Sequence, residues 1–172
     1  AYSEAFAAIA FAAHANTTQN SESAQKAHEL LDRFLKWNFT PSSGSSPKFT
    51  DERPMIGLAP RMIALVTAQE LRHQLGQNDE LNSLISNMIQ EIIQYFVKPD
   101  RKCVMEQVMP DGEISDHYDG RLLNPGHAIE TAWFIMQEGA TQKNESWIKL
   151  GCQMLEWNWD RAWDKEHGGL LY

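Results

Sequence analysis

The chain has 172 residues, of which 42% are hydrophobic, enough for one sizeable core over a single domain, residues 1–172. Its 15 Lys and Arg stand against 23 Asp and Glu, a formal charge of −8, which argues against a phosphate-tracking surface and so against nucleic acid as a partner. No apolar run approaches the roughly 18 residues of a membrane helix, and the two cysteines, Cys103 and Cys152, have no metal-ligand spacing; a reducing, cytoplasmic setting is expected, with one disulfide left open.

The start, "AYSEAFAAIAFAAHA", has neither the basic leader nor the cleavage pattern of a signal peptide, and it lacks an initiator Met, which suggests an internal piece of a longer polypeptide. The same stretch predicts a first helix, about residues 2–15. It is apolar nearly all round through Phe6, Ile9, Phe11 and many alanines, so burial on several sides is expected. A second helix, about 23–37, carries one stripe of Ala27, Leu30, Leu31, Phe34 and Leu35 opposite charged residues. The polar "TPSSGSSP" reads as a loop. A third helix, about 60–75, is broadly apolar through Met62, Ile63, Leu65 and Val66. The fourth repeats Leu81, Leu84, Ile85, Met88, Ile89, Ile92, Ile93 and Phe96 at helical spacing. The period then changes: "CVMEQVMPDGEIS" alternates and turns at Pro110-Asp111-Gly112, which predicts a short β-hairpin. An apolar fifth helix begins near Asn124. A sixth, about 145–163, has a stripe of Ile148, Cys152, Leu155 and Trp159, and "HGGLLY" closes in a turn.

Broadly apolar and amphipathic helices thus alternate. Inner helices wrapped by outer ones produce that pattern, as does a stack of αα-hairpins. The inner helices start near residues 2, 58 and 124, a spacing of roughly 60 residues without sequence identity between the units. Three hairpins do not close a ring, so apolar surface is expected to be covered by the remainder of a longer chain or by a partner.

The stretch "RLLNPGHAIETAWFIM" carries the candidate site. Asn124 suits a helix N-cap and Pro125 the first helical position, where its missing N–H costs nothing. His127 then lies in the first turn, where the positive end of the helix dipole disfavours a charged imidazole. Glu130, three residues on, shares its face and favours the charged form. These influences oppose each other, and either outcome leaves a histidine suited to general-base work near neutral pH. His127, Glu130, Thr131, Gln137 and Glu138 form a polar stripe that either lines a cavity or faces water. Arg121, six residues before His127, either pairs with Asp116 or Asp119 or reaches a ligand oxygen. His14, His28 and His73 lack carboxylate partners and read as surface or satisfied core, and His167 as a turn residue. His117 stands between Asp116 and Asp119 in a spacing that matches no metal-ligand pattern, so no metal is expected. Most of the six tryptophans, Trp133 among them, read as core at helical spacing, although indoles also stack on sugars.

Asn124, Pro125, Gly126, His127, Glu130 and Trp133 together resemble the signature of the N-acylglucosamine 2-epimerase (renin-binding-protein) family. "YSEAFAAIAFA", "RPMIGLAPRMIAL", "MEQVMPDGE" and "WDKEHGGLLY" resemble further family segments in the same order, so the likeness covers essentially the whole chain. The resemblance implies an all-α (α/α)6 barrel. Of this toroid the chain supplies about half of the helical hairpins plus a short β-hairpin, as the central piece of a protein more than twice as long. It further implies a sugar 2-epimerase interconverting N-acyl-D-glucosamine and N-acyl-D-mannosamine through the open-chain aldose. His127 is then one of two acid–base groups, with Glu130 orienting it or relaying its proton, and Arg121, Asn124 and Trp133 are the substrate-binding candidates. The family's second histidine and an N-terminal arginine fall outside this chain. No cofactor is required; a nucleotide such as ATP as effector and a homodimer are family expectations.

Disaccharide-epimerising and mannose-isomerising relatives carry an added histidine on the helix resembled by "LAPRMIAL". Met62 holds that position here, or Arg61 if the alignment shifts by one, and this favours the N-acyl-hexosamine branch. Cellobiose 2-epimerase or mannose isomerase chemistry is the alternative within the family. A non-catalytic interaction protein of the same fold, and a hydrolase with paired carboxylates, are the alternatives outside it.

Overall fold

Short polar caps set where the helices begin. In the computed structural model, which describes residues 2–40 and 54–171, α1 (Tyr2–Thr18) is followed by α2 (Ser21–Phe39), whose start is capped by the Asn20 side chain accepting the Ser23 N–H. A two-residue strand β1 (Ile56–Gly57) leads directly into α3 (Leu58–Leu75), and α4 (Asp79–Glu91) returns after a turn in which Asn78 accepts the N–H groups of Glu80 and Leu81. All but Thr40 of the predicted polar loop lies outside the described residues. The chain divides into two compact units, residues 1–48 with 63–89 and residues 49–62 with 90–172. Among the described residues no helix is long and apolar enough to cross a membrane.

In the first unit α1 packs on α2 through Ala5, Ala8, Ala12 and Ala15, all buried. The expected burial of α1 on several sides does not hold: Phe6 is 61% exposed, and Tyr2 and Phe11 are exposed too. Alanines bring the two backbones close on one face, and a helix is buried only where it has a neighbour. By contrast, α3 fits the inner-helix expectation, since His73 alone among its residues is exposed. Its buried Arg72 donates to Asn82 at 3.0 Å, which helps close the α3–α4 hairpin within this unit.

In the second unit the predicted fourth helix changes pitch. Ile92–Phe96 winds as a single π-turn, with the Val97 N–H reaching the Ile92 carbonyl, and buries Ile92 and Phe96. Strand β2 (Val97–Lys98) then pairs antiparallel with β3 (Cys103–Val104) across a 3₁₀ turn, Pro99–Arg101. A short hairpin therefore exists, but earlier than the sequence suggested. The turn at Pro110-Asp111-Gly112 forms, with the Gly112 N–H on the Met109 carbonyl at 2.8 Å. Its arms share one backbone bond, the Met109 N–H to the Glu113 carbonyl at 2.9 Å, and form no strand ladder with each other among the described residues. Strand β4 (Gln107–Val108) pairs with β1 instead, Ile56 opposite Val108 and Gly57 opposite Gln107. Alternation shows that a stretch is extended; it does not say which partner satisfies its backbone.

A four-residue helix α5 (Tyr118–Arg121) precedes α6 (Pro125–Gln142) and α7 (Glu145–Ala162), which form a further αα-hairpin. The predicted α7 stripe is turned by about one residue: Cys152 and Trp159 are exposed, and the buried face is Gly151, Met154, Asn158 and Ala162. Glycine explains the rotation. A Cβ on Gly151 would collide with Met136 and would stand 2.8 Å from the Ala132 carbonyl, while one on Gly139 would meet Ile148 at 2.9 Å. So close a crossing admits small residues and turns indoles away. None of the six tryptophans is buried, against the expectation that most are core; Trp159 and Trp163 stack on each other at 4.6 Å. Both cysteines are free, Cys103 buried with its thiol pKa raised by that burial. The chain closes with Asp164 accepting the N–H groups of Glu166 and His167, and Trp163 bridging Leu170.

Gly151→Ala is expected to lower the unfolding free energy by roughly 1–2 kcal/mol in urea titration, because overpacking at the crossing outweighs the helix propensity gained. An unchanged midpoint would mean that the two helices are not held this close.

Candidate functional site

Local chemistry places His127. The Asn124 side chain caps α6 by accepting the His127 N–H at 3.2 Å, and the Asn124 carbonyl accepts the Ala128 N–H at 3.0 Å. Pro125 fills the first helical position, and the Thr131 hydroxyl donates to the His127 carbonyl at 2.7 Å. The histidine is thereby fixed in the first helical turn with its side chain 34% exposed, partly enclosed yet reachable from solvent.

The carboxylate that meets the ring is Glu106. Its two oxygens lie 2.9 and 3.1 Å from His127 Nδ1, and its side chain is only 14% exposed. Glu130, which sequence spacing put forward for this contact, is exposed and makes no hydrogen bond or ion pair among the described residues. Side chains three apart on a helix share a face, but the first-turn histidine here leans towards the loop between β3 and β4. Glu106 is missing from the sequence-derived site. The signal available was a lone Glu-Gln pair inside the apolar "CVMEQVM", which the predicted hairpin absorbed.

Glu106 is itself held from both ends. Its carbonyl accepts the Leu58 N–H at 2.9 Å, so the first backbone donor of α3 is satisfied by the residue that faces the histidine. The adjacent Gln107 is the strand partner of Gly57. One turn into α3, Arg61 donates to the Gly57 carbonyl at 3.1 Å and to Glu91 at 2.8 Å, with its guanidinium 5.4 Å from the centre of the Phe96 ring. Arg61, 12% exposed, is thus engaged in holding β1, and Met62 is buried.

The remaining candidates fall into two groups. Asn124 is engaged in capping, and Arg121 pairs with Asp116 at 3.0 Å in a solvent-exposed contact. Trp133 is 56% exposed, on the same side of α6 as Glu130 and Gln137. The predicted polar stripe divides: Glu130 and Gln137 face solvent, whereas Thr131 and Glu138 are buried, the latter receiving the Gln142 amide at 3.0 Å. His117 caps α5 by accepting the Asp119 N–H, and His14 pairs with Ser23 at 2.9 Å. Among the described residues no three His, Cys, Asp or Glu side chains converge as a metal site. An imidazole carrying a carboxylate on one nitrogen and partly open to solvent can accept and return a proton.

Known proteins resemble this chain in sequence and in fold. The family model described as N-acylglucosamine 2-epimerase (GlcNAc 2-epimerase) matches residues 1–172. The N-acylglucosamine 2-epimerase of Bos taurus is 30% identical over 181 aligned residues, covering 99% of this chain and 41% of that protein. That of Mus musculus is 28% identical, again over 41% of its length. The chain therefore spans about 41% of the length of these relatives. Among solved structures, a cellobiose 2-epimerase from Bacillus thermoamylovorans B4167 superposes with a TM-score of 0.78 at 17% identity, covering 99% of this chain and 49% of that one. A D-mannose isomerase gives 0.73 at 18%, over 99% and 47% of the two chains. A family 76 glycoside hydrolase from a bovine Bacteroides thetaiotaomicron strain gives 0.70 at 12%, over 95% and 35%. These likenesses show the fold: the helical hairpins of an (α/α)6 barrel, of which this chain supplies about half.

Asn124→Ala is expected to cost about 1 kcal/mol of unfolding free energy through loss of the cap. Arg121→Ala, at an exposed pair, should stay within about 0.5 kcal/mol of the parent. Urea titration of both variants checks the contrast, and equal effects would contradict it.

Proposed function

This chain belongs to the N-acylglucosamine 2-epimerase family of carbohydrate epimerases and isomerases, and we propose that it carries one of the two acid–base groups of a sugar 2-epimerase acting on N-acyl-D-glucosamine and N-acyl-D-mannosamine. The observation that supports this most is the His127–Glu106 contact at the head of α6. In the open-chain sugar the C1 aldehyde acidifies the C2 proton. His127 removes that proton, the electron pair passes into an enolate, and a second group returns a proton to the opposite face. No cofactor is needed, because the aldehyde itself is the electron sink.

The second acid–base group belongs, in this reading, to the longer polypeptide that completes the barrel, and activity is a property of that whole protein. Glu130, one turn beyond His127 and exposed, serves there as a proton relay, and Trp133 offers its indole face to the sugar. The buried Met62, where disaccharide-epimerising and mannose-isomerising relatives resemble one another in carrying histidine, supports an N-acyl-hexosamine over a disaccharide or mannose. A nucleotide effector, a homodimer and a cytoplasmic setting belong to the same proposal. The likeness to a glycoside hydrolase extends to the fold alone, and the group facing Glu106 is an imidazole rather than the second carboxylate that paired-acid hydrolysis uses.

Incubated with N-acylglucosamine in deuterated water, the whole protein is expected to place deuterium at C2, read by NMR or mass spectrometry. His127→Asn should lower that exchange by about 10²–10⁴-fold, the usual contribution of a general base. Absence of label with the unaltered protein, or full exchange by the variant, would overturn the proposal.

A further inference from the structure

We infer that Glu106 is the positioning residue that fixes which nitrogen of His127 moves the proton, and that Arg61 with Glu91 anchors it from the far side of β1. The inference deepens the proposed function and rests on it for its chemistry, though not for its geometry. An ionised carboxylate only accepts hydrogen bonds, so Oε2 at 2.9 Å and Oε1 at 3.1 Å require a proton on Nδ1. In the neutral ring that requirement puts the basic lone pair on Nε2. The C2–H bond then breaks as an Nε2–H bond forms, its electron pair passes through C2 to the carbonyl oxygen as the enolate, and the positive charge gained by the ring is met by the Glu106 carboxylate already in place. When the ring gives the proton up, the same contact restores the starting tautomer.

Such a task requires a carboxylate that neither rotates nor drifts, and the surroundings of Glu106 supply that. Its side chain is 14% exposed, which limits competition from water. Its carbonyl is tied to the Leu58 N–H at 2.9 Å, and its neighbour Gln107 pairs with Gly57. Gly57 is gripped in turn by Arg61, whose second bond is to Glu91, the last residue before the π-turn. One continuous line of contacts, Glu91 to Arg61 to Gly57 and Leu58 to Glu106 to His127, joins the α3 start to the α6 start. Without Glu106 the ring would be free to adopt the other tautomer. A glutamine there could donate its amide to Nδ1 and drive the proton to Nε2, the state with no base at the reacting atom.

Two measurements on the whole protein test this. In ¹⁵N spectra of the histidine rings, at a pH where His127 is neutral, the unaltered protein is expected to show a protonated Nδ1 and an unprotonated Nε2, with Glu106→Gln shifting signal towards the reverse. A protonated Nε2 in the unaltered protein would overturn the inference whatever the enzyme's activity. In deuterium exchange at C2, Glu106→Gln is expected to lower kcat by about 100-fold or more with KM little changed, and Glu106→Asp to recover part of it. Arg61→Met, acting through backbone contacts, should lower kcat less than Glu106→Gln does. Wild-type exchange in Glu106→Gln would also overturn the inference. If the unaltered protein itself exchanged no label, the sugar chemistry would fall while the ring spectra still decided the role of Glu106.

Discussion

The candidate site depends on a carboxylate and an imidazole meeting at 2.9 Å from two segments 21 residues apart. Both residues lie at the ends of regular elements. Glu106 lies between two two-residue strands that pair with different partners, and His127 lies in the first turn of a helix whose start is set by an asparagine and a proline. The contact is defined only because both backbones are pinned: the Glu106 carbonyl by the opening of α3, and the His127 N–H by the Asn124 side chain. The two-residue strands look too short to matter energetically, and their service is positional. By exchanging partners, β4 with β1 and β3 with β2, they carry the chain past the starts of two helices and leave one acidic side chain facing the second.

The helices were legible in the sequence. Capping residues, apolar periodicity and the Pro-Gly breaks mark six of them to within a few residues, and the Asn-Pro-Gly-His run marks the site. What was not legible has a common cause. Local spacing, which is all a sequence displays, favours Glu130, whereas the partner that wins, Glu106, arrives by a tertiary route. Hydrophobicity points the α7 stripe and the tryptophans inward, but Gly139 and Gly151 let α6 and α7 approach so closely that small residues fill the seam and indoles are turned outward. In α1, alanines likewise take the buried face while Phe6 does not. Where backbones nearly touch, size outranks apolarity in deciding which face is buried.

The fold itself does not settle the chemistry. Structures described as a cellobiose 2-epimerase, a D-mannose isomerase and a glycoside hydrolase all superpose on these helices with TM-scores of 0.70 or more. Chemistry is therefore read from side chains rather than from the fold, and in this chain from those at the helix starts. Here those are an imidazole braced by a carboxylate, a buried methionine and a committed arginine, an arrangement suited to moving a single proton.

The most direct test is a double-mutant cycle between Glu106→Gln and His127→Asn, read as unfolding free energies in urea. A coupling of about 1 kcal/mol or more is expected, since each residue is held in its position to meet the other. Additivity within about 0.3 kcal/mol would contradict that expectation, showing that the two side chains do not engage in solution and that the site must be rebuilt from another pair.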